Sequence, residues 1–134
     1  MKMAAFDAED LLVLSALLEG GLMAVSDMTF QPQDQRFVVV LRRRAAPEQA
    51  ELVQAGLHFE RVTRVSTTRF PDRKSGITLK LIGIGFTEID APSGDVILMF
   101  EDEIAIRLSV ECLEVGMSDL ETSDTPQSPT QQPS

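Results

Sequence analysis

The clearest pattern of hydrophobic and polar positions runs from Ile104 to Cys112, where large apolar residues alternate with small or polar ones. The apolar set is Ile104, Ile106, Leu108, Val110 and Cys112. Such a period of two is typical of a β-strand with one buried face and one face in water. This strand closes a region, Ile77 to Val115, that the pattern predicts to be three long antiparallel strands.

The first strand of this region changes phase along its length. Its apolar residues occupy odd positions up to Leu81 and even positions from Ile82 onward. A bulge or corner near Leu81 would bring both sets to one side. Gly83 and Gly85 then form a shallow strip that a helix backbone could approach. The last hairpin of the region turns at the acidic tripeptide 101–103.

The second clear pattern is helical and covers Phe6 to Gly20. Asp7 is a favourable N-cap residue, and Gly20 is a natural C-terminal stop. The predicted apolar stripe comprises Leu11, Val13, Leu14, Leu17 and Leu18. An amphipathic helix of this kind has to bury its stripe, and the sheet is the only large surface that could cover it.

The chain between these two regions reads as strands joined by turns. Leu22 to Phe30 and Arg36 to Arg44 are predicted to form a hairpin around residues 31–35, where Pro32 ends strand pairing. Pro47 to Ala55 is predicted as a short helix, because proline favours a first helical turn and Gly56 lies just past the end.

The segment His58 to Phe70 is predicted as one strand with imperfect alternation. Val62 and Val65 can share a face only if a bulge lies between them. The following residues, 71–76, form a loop by composition, since they combine proline, glycine and charged side chains.

Length and composition place the chain among single-domain globular proteins. It has 134 residues, of which 43% are hydrophobic and 25% are charged. We predict one α+β domain over residues 1–117 and a disordered tail, rich in Pro, Ser and Gln, over residues 118–134. The single cysteine, the lack of a long apolar run and the acids before the first apolar run favour a cytoplasmic location.

The net charge of −9 is unevenly distributed. Residues 36–80 carry ten basic and four acidic side chains, whereas the segments on either side are strongly acidic. One interpretation is that oppositely charged strands lie side by side and neutralise each other. The other is that the basic residues form a face that receives an anionic partner.

Several segments resemble a small bacterial family. They are the opening helix Phe6–Leu11, the step Glu60–Val62 and the closing stretch Gly94–Asp119. Within that stretch, the run Ile104–Glu114 looks like the closing strand of the family. The resemblance covers roughly residues 5–120. It points to the uncharacterised bacterial domain-of-unknown-function family 2948, which implies one compact cytoplasmic domain and no particular activity.

The sequence offers little support for catalysis or metal binding. Cys112 continues the predicted buried face of its strand, where a free cysteine behaves as a small hydrophobe. One cysteine and one histidine, His58, cannot complete a typical zinc site. The acidic tripeptide 101–103 lacks the spaced ligands of a calcium loop and is predicted to be a solvated turn. We therefore predict no catalytic residues, no metal and no cofactor.

Basic residues are the remaining candidates for a binding surface. The candidate set is Arg42, Arg44, Arg61, Arg64 and Arg69. Nucleic acid is not an expected partner, because few aromatic residues accompany these charges and the overall charge opposes a polyanion. No membrane partner is expected either.

The predicted fold is α+β: an N-terminal helix packed on a curved, mainly antiparallel sheet of about six strands in mainly sequential order. A β-roll or barrel is the alternative. The predicted function is a small non-enzymatic protein-interaction or regulatory module, with a protein partner or self-association, that uses the basic strands or an open sheet edge. The alternative is a domain that binds a small anion or another ligand.

Overall fold

The computed structural model describes residues 1–46 and 48–120, which form one helix and ten strands. The helix α1 spans Ala8–Leu18. The strands are β1 (Lys2–Ala5), β2 (Leu22–Ala24), β3 (Met28–Gln31), β4 (Arg36–Arg44), β5 (Leu52–Phe59), β6 (Val62–Thr68), β7 (Thr78–Asp90), β8 (Ser93–Phe100), β9 (Ala105–Val110) and β10 (Val115–Asp119). The fold is mainly β with one helix, so the predicted α+β class is confirmed, whereas the predicted number of about six strands is too low.

All strand pairs in the described residues are antiparallel. The strand order is β1-β10-β5-β4-β2-β7-β8-β9-β6, and β3 pairs with β4 beside this path. The expected sequential order is therefore correct only locally, as in β7-β8-β9. The sheet is open, with β1 and β6 at its two ends, rather than closed into the alternative barrel.

The core lies on one face of the sheet, where alternate residues of the strands meet. In β4 the residues at odd positions point inward, including Phe37 and Val39, and β5 contributes Leu57 and Phe59 opposite them. The rings of Phe37 and Phe59 lie 6.3 Å apart between centroids. Leu108 of β9 is fully buried, as the alternation around it predicted.

Helix α1 begins as predicted, because the side chain of Asp7 accepts a hydrogen bond of 2.8 Å from the backbone N–H of Asp10. Leu11, Leu14 and Leu18 are buried, whereas Val13 is 58% exposed and does not belong to the packed stripe. No described helix is long and apolar enough to cross a membrane.

The helix packs on β7 at the predicted glycine strip. Pairing between β7 and β8 shifts register between Leu81 and Gly83, which confirms the predicted bulge. A Cβ atom at Gly83 would lie 3.3 Å from the Ser15 hydroxyl oxygen, so a larger residue would crowd that hydroxyl. That hydroxyl accepts a 2.8 Å hydrogen bond from the backbone N–H of Ile84, which fastens α1 to β7.

The predicted strand His58 to Phe70 is two strands, β5 and β6, separated by a corner at Glu60 and Arg61. The chain between β9 and β10 turns at the same place. The N–H of Glu60 donates to the carbonyl of Glu114, and the N–H of Glu111 donates to the carbonyl of Arg61. β6 then pairs with β9 through a register shift between Val62 and Arg64, so the predicted bulge is confirmed.

The predicted short helix at 47–55 is wrong in the described residues. Residues 48–51 form the connection between β4 and β5, and Leu52–Phe59 is a strand paired with β4 along its whole length. Val53, Ala55, Leu57 and Phe59 alternate toward the core. Long-range strand pairing therefore outweighs the local proline and glycine signals that favoured a helix.

The end of the chain also differs from expectation. Cys112 lies in the connection between β9 and β10 and is half-buried, so it does not continue the buried face of β9. Ser118 and Asp119 belong to β10, although they were predicted to begin the tail. The rest of the predicted tail, residues 121–134, lies outside the described residues.

Candidate functional site

The basic residues of β4 divide between its two faces. Arg42 and Arg44 point outward and are exposed, whereas Arg43 points inward and is only 6% exposed. Burying a guanidinium is costly unless its charge and hydrogen bonds are matched. The Nε and Nη2 atoms of Arg43 donate to the two carboxylate oxygens of Asp119 at 3.1 and 2.7 Å. Its Nη1 donates to the carbonyl of Arg44 at 2.8 Å.

Asp119 lies on β10, which is separated from β4 and Arg43 by strand β5. Asp119 is aligned with Ala55 of β5, and Arg43 is aligned with Val53, so the pair crosses β5 diagonally. The Met1 amino group lies 3.4 Å from the same carboxylate. Burial raises the pKa of Asp119, but the hydrogen bond and charge of Arg43 outweigh it and leave this pKa lowered. The cluster therefore joins β4 and β10, and the charge of Arg43 already has a partner.

A second charged cluster lies on the outer face, at the corner between β5 and β6. The Nε atom of Arg36 donates to both carboxylate oxygens of Glu60, at 2.9 and 3.2 Å. The Nδ1 atom of His58 is 2.7 Å from the same carboxylate. Burial raises the pKa of Glu60, yet the bonds from Arg36 and His58 outweigh this effect and lower it. Glu60 thus holds the imidazole in one orientation.

The imidazole of His58 stands over Gly116 of β10. A Cβ atom at position 116 would overlap the ring, so this close approach requires glycine. The ring borders a shallow groove of about 470 Å³ that also contacts Lys2, Phe6 and Ser118. His58 is therefore a positioned and half-exposed side chain, and Glu60 is the group that contacts its ring.

Three of the candidate basic residues lie in β6 or directly beside its two ends. Arg61 lies at the corner before the strand, Arg64 is opposite Ser109 of β9, and Arg69 directly follows the strand. All three are exposed. Arg61 has a weak ion pair with Glu114, 3.9 Å away, whereas Arg64 and Arg69 have no ion pair with any described residue. We call β6 with these three arginines the basic edge.

Arg42 and Arg44 lie elsewhere. Arg44 is aligned with Leu52, at the end of β5 far from the corner that leads to β6. At about 3.3 Å per residue, the seven steps from Leu52 to Phe59 correspond to roughly 23 Å. The five candidate arginines therefore form two separate groups and not one basic face.

Charge neutralisation within the sheet accounts for only part of the basic segment. Arg36 and Arg43 have close carboxylate partners, at 2.9 and 2.7 Å. By contrast, Arg42 and Arg64 have no ion pair with any residue in the described ranges. Neutralisation within the sheet therefore accounts for Arg36 and Arg43 and does not account for Arg42 and Arg64.

The other candidate groups form no assembled site. Cys112 borders a groove with Phe6, Phe86 and Leu113, whereas His58 borders a different groove. Residues 101–103 form a short 3-10 turn after β8. Within the part of the chain described, no three His, Cys, Asp or Glu side chains are grouped as metal ligands would be.

Comparison with protein families matches residues 1–133 to the family described as "Protein of unknown function (DUF2948)". The chain belongs to this family. The resemblance seen in the opening helix and closing strand is therefore confirmed. No curated protein and no solved structure matches the chain.

Sequence reasoning missed two of the charged groups that the fold brings together. Arg43 has the same parity as Phe37, Val39 and Leu41, so the pattern itself indicated an inward arginine that needs a carboxylate. Its partner is 76 residues away, and nothing local identifies it. Lys80 was also not included, although it is aligned with Arg42 through one intervening residue of β2.

Proposed function

We propose that this protein is a non-enzymatic interaction module that receives an extended acidic segment of a partner protein along the basic edge. The observation that carries the proposal is that β6, the last strand of the sheet, has a single strand partner and is lined by exposed arginines. Strand addition would use the backbone of β6, and the arginines would select the charge of the segment.

An unpaired strand edge presents N–H and C=O groups that can pair with another chain. In β6 the outer edge has one bond to the described chain near its start, from the N–H of Val62 to the carbonyl of Gln35 at 2.8 Å. From Arg64 to Thr68 the strand pairs with β9 on one side, and no described strand lies on the other. This length suits a partner segment of about five residues.

The charge of the edge favours an acidic occupant. Arg64 points to the outer face beside the small Ser109, and Arg69 directly follows the strand with a positive φ of 55°. Arg107 of the neighbouring strand is aligned with Ser66 on this outer surface, but its charge is already paired with Asp95, 3.6 Å away. A complementary segment would gain charge-assisted bonds, and its association rate would fall with added salt.

Other sheet edges are less suited to this role. β3 has four residues, and Arg73 already donates to the carbonyl groups of Ser26 and Met28 at its start. β1 also has four residues and contacts α1. β6 is longer than both, with seven residues.

The test uses a fluorescent peptide of about eight residues that alternates glutamate and valine, with binding followed by fluorescence anisotropy. The double variant Arg64→Glu with Arg69→Glu should weaken binding at least about tenfold, which is the loss of roughly one charge-assisted bond. Raising salt toward about 0.5 M should weaken wild-type binding. N-methylation of alternate peptide residues on one edge should also reduce affinity, because it removes donors needed for strand pairing.

The matched control is Arg42→Glu with Arg44→Glu, which makes the same charge change on the other basic group. Peptide binding should change by no more than about twofold in that variant. Equal losses in both double variants would refute the proposal, because they would indicate general charge attraction. Full binding by the N-methylated peptide would also refute strand addition.

A further inference from the structure

A row of aligned residues crosses the outer face of the sheet at β2. Leu22 of β2 pairs with Arg42 of β4 on one side and with Lys80 of β7 on the other. Aligned residues of neighbouring strands share a face, so the two cations flank Leu22 on the same surface. Their Cα atoms are two strand spacings apart, or roughly 10 Å. Both side chains are exposed.

Arg44 extends this group by one step along β4, because residues two apart point to the same face. Its Nη1 donates to the carbonyl of Gln49 at 3.0 Å, which fixes the position of the guanidinium. Arg44 and Lys80 border a groove of about 420 Å³, whose other walls include Leu22 and Leu52. We call Arg42, Arg44 and Lys80, with this groove, the cationic groove.

The charges of this groove are not matched by the described residues. Neither Arg42, Arg44 nor Lys80 has an ion pair with any residue that the structure describes. The one carboxylate that lines the groove is Glu19, at the C-terminal end of α1. Two cations, Arg44 and Lys80, line the groove against this carboxylate, and Arg42 lies beside Leu22 on the same face. The local charge is therefore positive on a protein of net charge −9.

We propose that the cationic groove binds the phosphate group of a small organic phosphate or of a phosphate-bearing lipid headgroup. Arginine binds phosphate oxygens in a bidentate manner, and lysine contributes a point charge. A group with at least two negative charges matches the excess better than a single carboxylate does. Leu22 and the 41% exposed Leu52 supply apolar surface for the organic part of the ligand.

The groove can attract such a ligand despite the negative net charge of the protein. At physiological ionic strength, exposed charges act over about 8 Å, so the nearby cations dominate over distant acids. Glu19 and the carbonyl end of α1 oppose binding, since both are negative. Removal of the Glu19 carboxylate should therefore strengthen binding, whereas removal of the cations should weaken it.

The experiment titrates pyrophosphate into the full chain by isothermal calorimetry, with inorganic phosphate as a second probe. Arg42→Gln with Lys80→Gln should weaken pyrophosphate binding at least about tenfold. Glu19→Gln should tighten it about two- to fivefold. The matched control, Arg64→Gln with Arg69→Gln, removes the same charge from the basic edge and should leave the affinity within about twofold.

A parallel arm uses flotation with phosphatidylcholine vesicles that contain phosphatidic acid, which carries a phosphomonoester. Binding in either arm that is lost in Arg42→Gln with Lys80→Gln supports the site, and the arm with tighter binding identifies the source of the phosphate. The inference is overturned if wild type binds in neither arm. It is also overturned if the groove variant and the control variant lose affinity equally. Circular dichroism and thermal melting check that each variant is folded.

Discussion

The pair Arg43–Asp119 should be a major contributor to the stability of the sheet. Asp119→Asn keeps the shape of the side chain but removes its charge, which leaves the Arg43 guanidinium buried without a counter-charge. The guanidinium would retain the carbonyl of Arg44 and at best one oxygen of the new amide. A carboxamide cannot accept both of the bonds that now measure 3.1 and 2.7 Å.

The magnitude follows from how deeply the two side chains are buried. Removal of one partner from a fully buried ion pair costs about 3–5 kcal/mol, whereas an exposed pair contributes about 0–1 kcal/mol. The Arg43 side chain is 7% exposed and the Asp119 side chain 22%, which is much closer to the buried limit. We therefore expect Asp119→Asn to lower the free energy of unfolding by about 2–4 kcal/mol.

Arg43→Met should cost less, about 1–2 kcal/mol, because the partly exposed carboxylate of Asp119 would stay hydrated and near the Met1 amino group. The double variant should be more stable than the sum of the two losses predicts, with a coupling energy of about 1–3 kcal/mol. Urea denaturation, at a constant m value, measures all four proteins of the cycle.

Arg42→Gln is the matched control, since Arg42 is the outward neighbour of Arg43 on the same strand. Its free energy of unfolding should differ from wild type by no more than about 0.5 kcal/mol. The reasoning would be refuted by a loss below about 0.5 kcal/mol in Asp119→Asn, or by strictly additive losses in the cycle. Either result would mean that water replaces the carboxylate around Arg43.

Two further predictions concern the core and the pH dependence of stability. Leu108→Ala should lower the free energy of unfolding by about 2–5 kcal/mol, because Leu108 is fully buried, and urea denaturation measures this loss. The pKa values of Asp119 and Glu60 are lowered in the folded protein, from ordinary values of 3.8 and 4.5. Their stabilisation is therefore present above these ordinary values and is lost as pH falls through the folded-state values. Stability measured from about pH 5 to 3 should thus fall less steeply in Asp119→Asn than in wild type, and equal slopes would contradict the assignment.

Local patterns of apolar residues predicted correctly those elements that bury one continuous face against the core. The stripe of α1 is confirmed at Leu11, Leu14 and Leu18 but not at Val13, and the alternation of β9 is confirmed up to Val110 but not at Cys112. The two predicted bulges are also confirmed. A change of parity between apolar residues, as at Leu81, has few structural solutions other than an inserted residue.

Strand β5 was missed although its alternation is visible in retrospect. Val53, Ala55, Leu57 and Phe59 share one parity, but proline before them and Gly56 among them resemble the ends of a short helix. The choice between helix and strand is made by pairing with β4 and β10, which no local rule contains. Sheet order fails for the same reason, since β10 lies between β1 and β5.

The candidate sites show a corresponding limit. The sequence indicates how many cations lie between residues 36 and 80, but their role depends on which face and which neighbour each one has. Arg43 is structural because it points inward to Asp119, whereas its outward neighbour Arg42 lies beside Leu22 and has no ion pair within residues 1–46 and 48–120. Parity could separate these two neighbours from the sequence alone. The alignment of Arg42 with Lys80 depends on β2 lying between β4 and β7, so the cationic groove could be recognised only in the folded sheet.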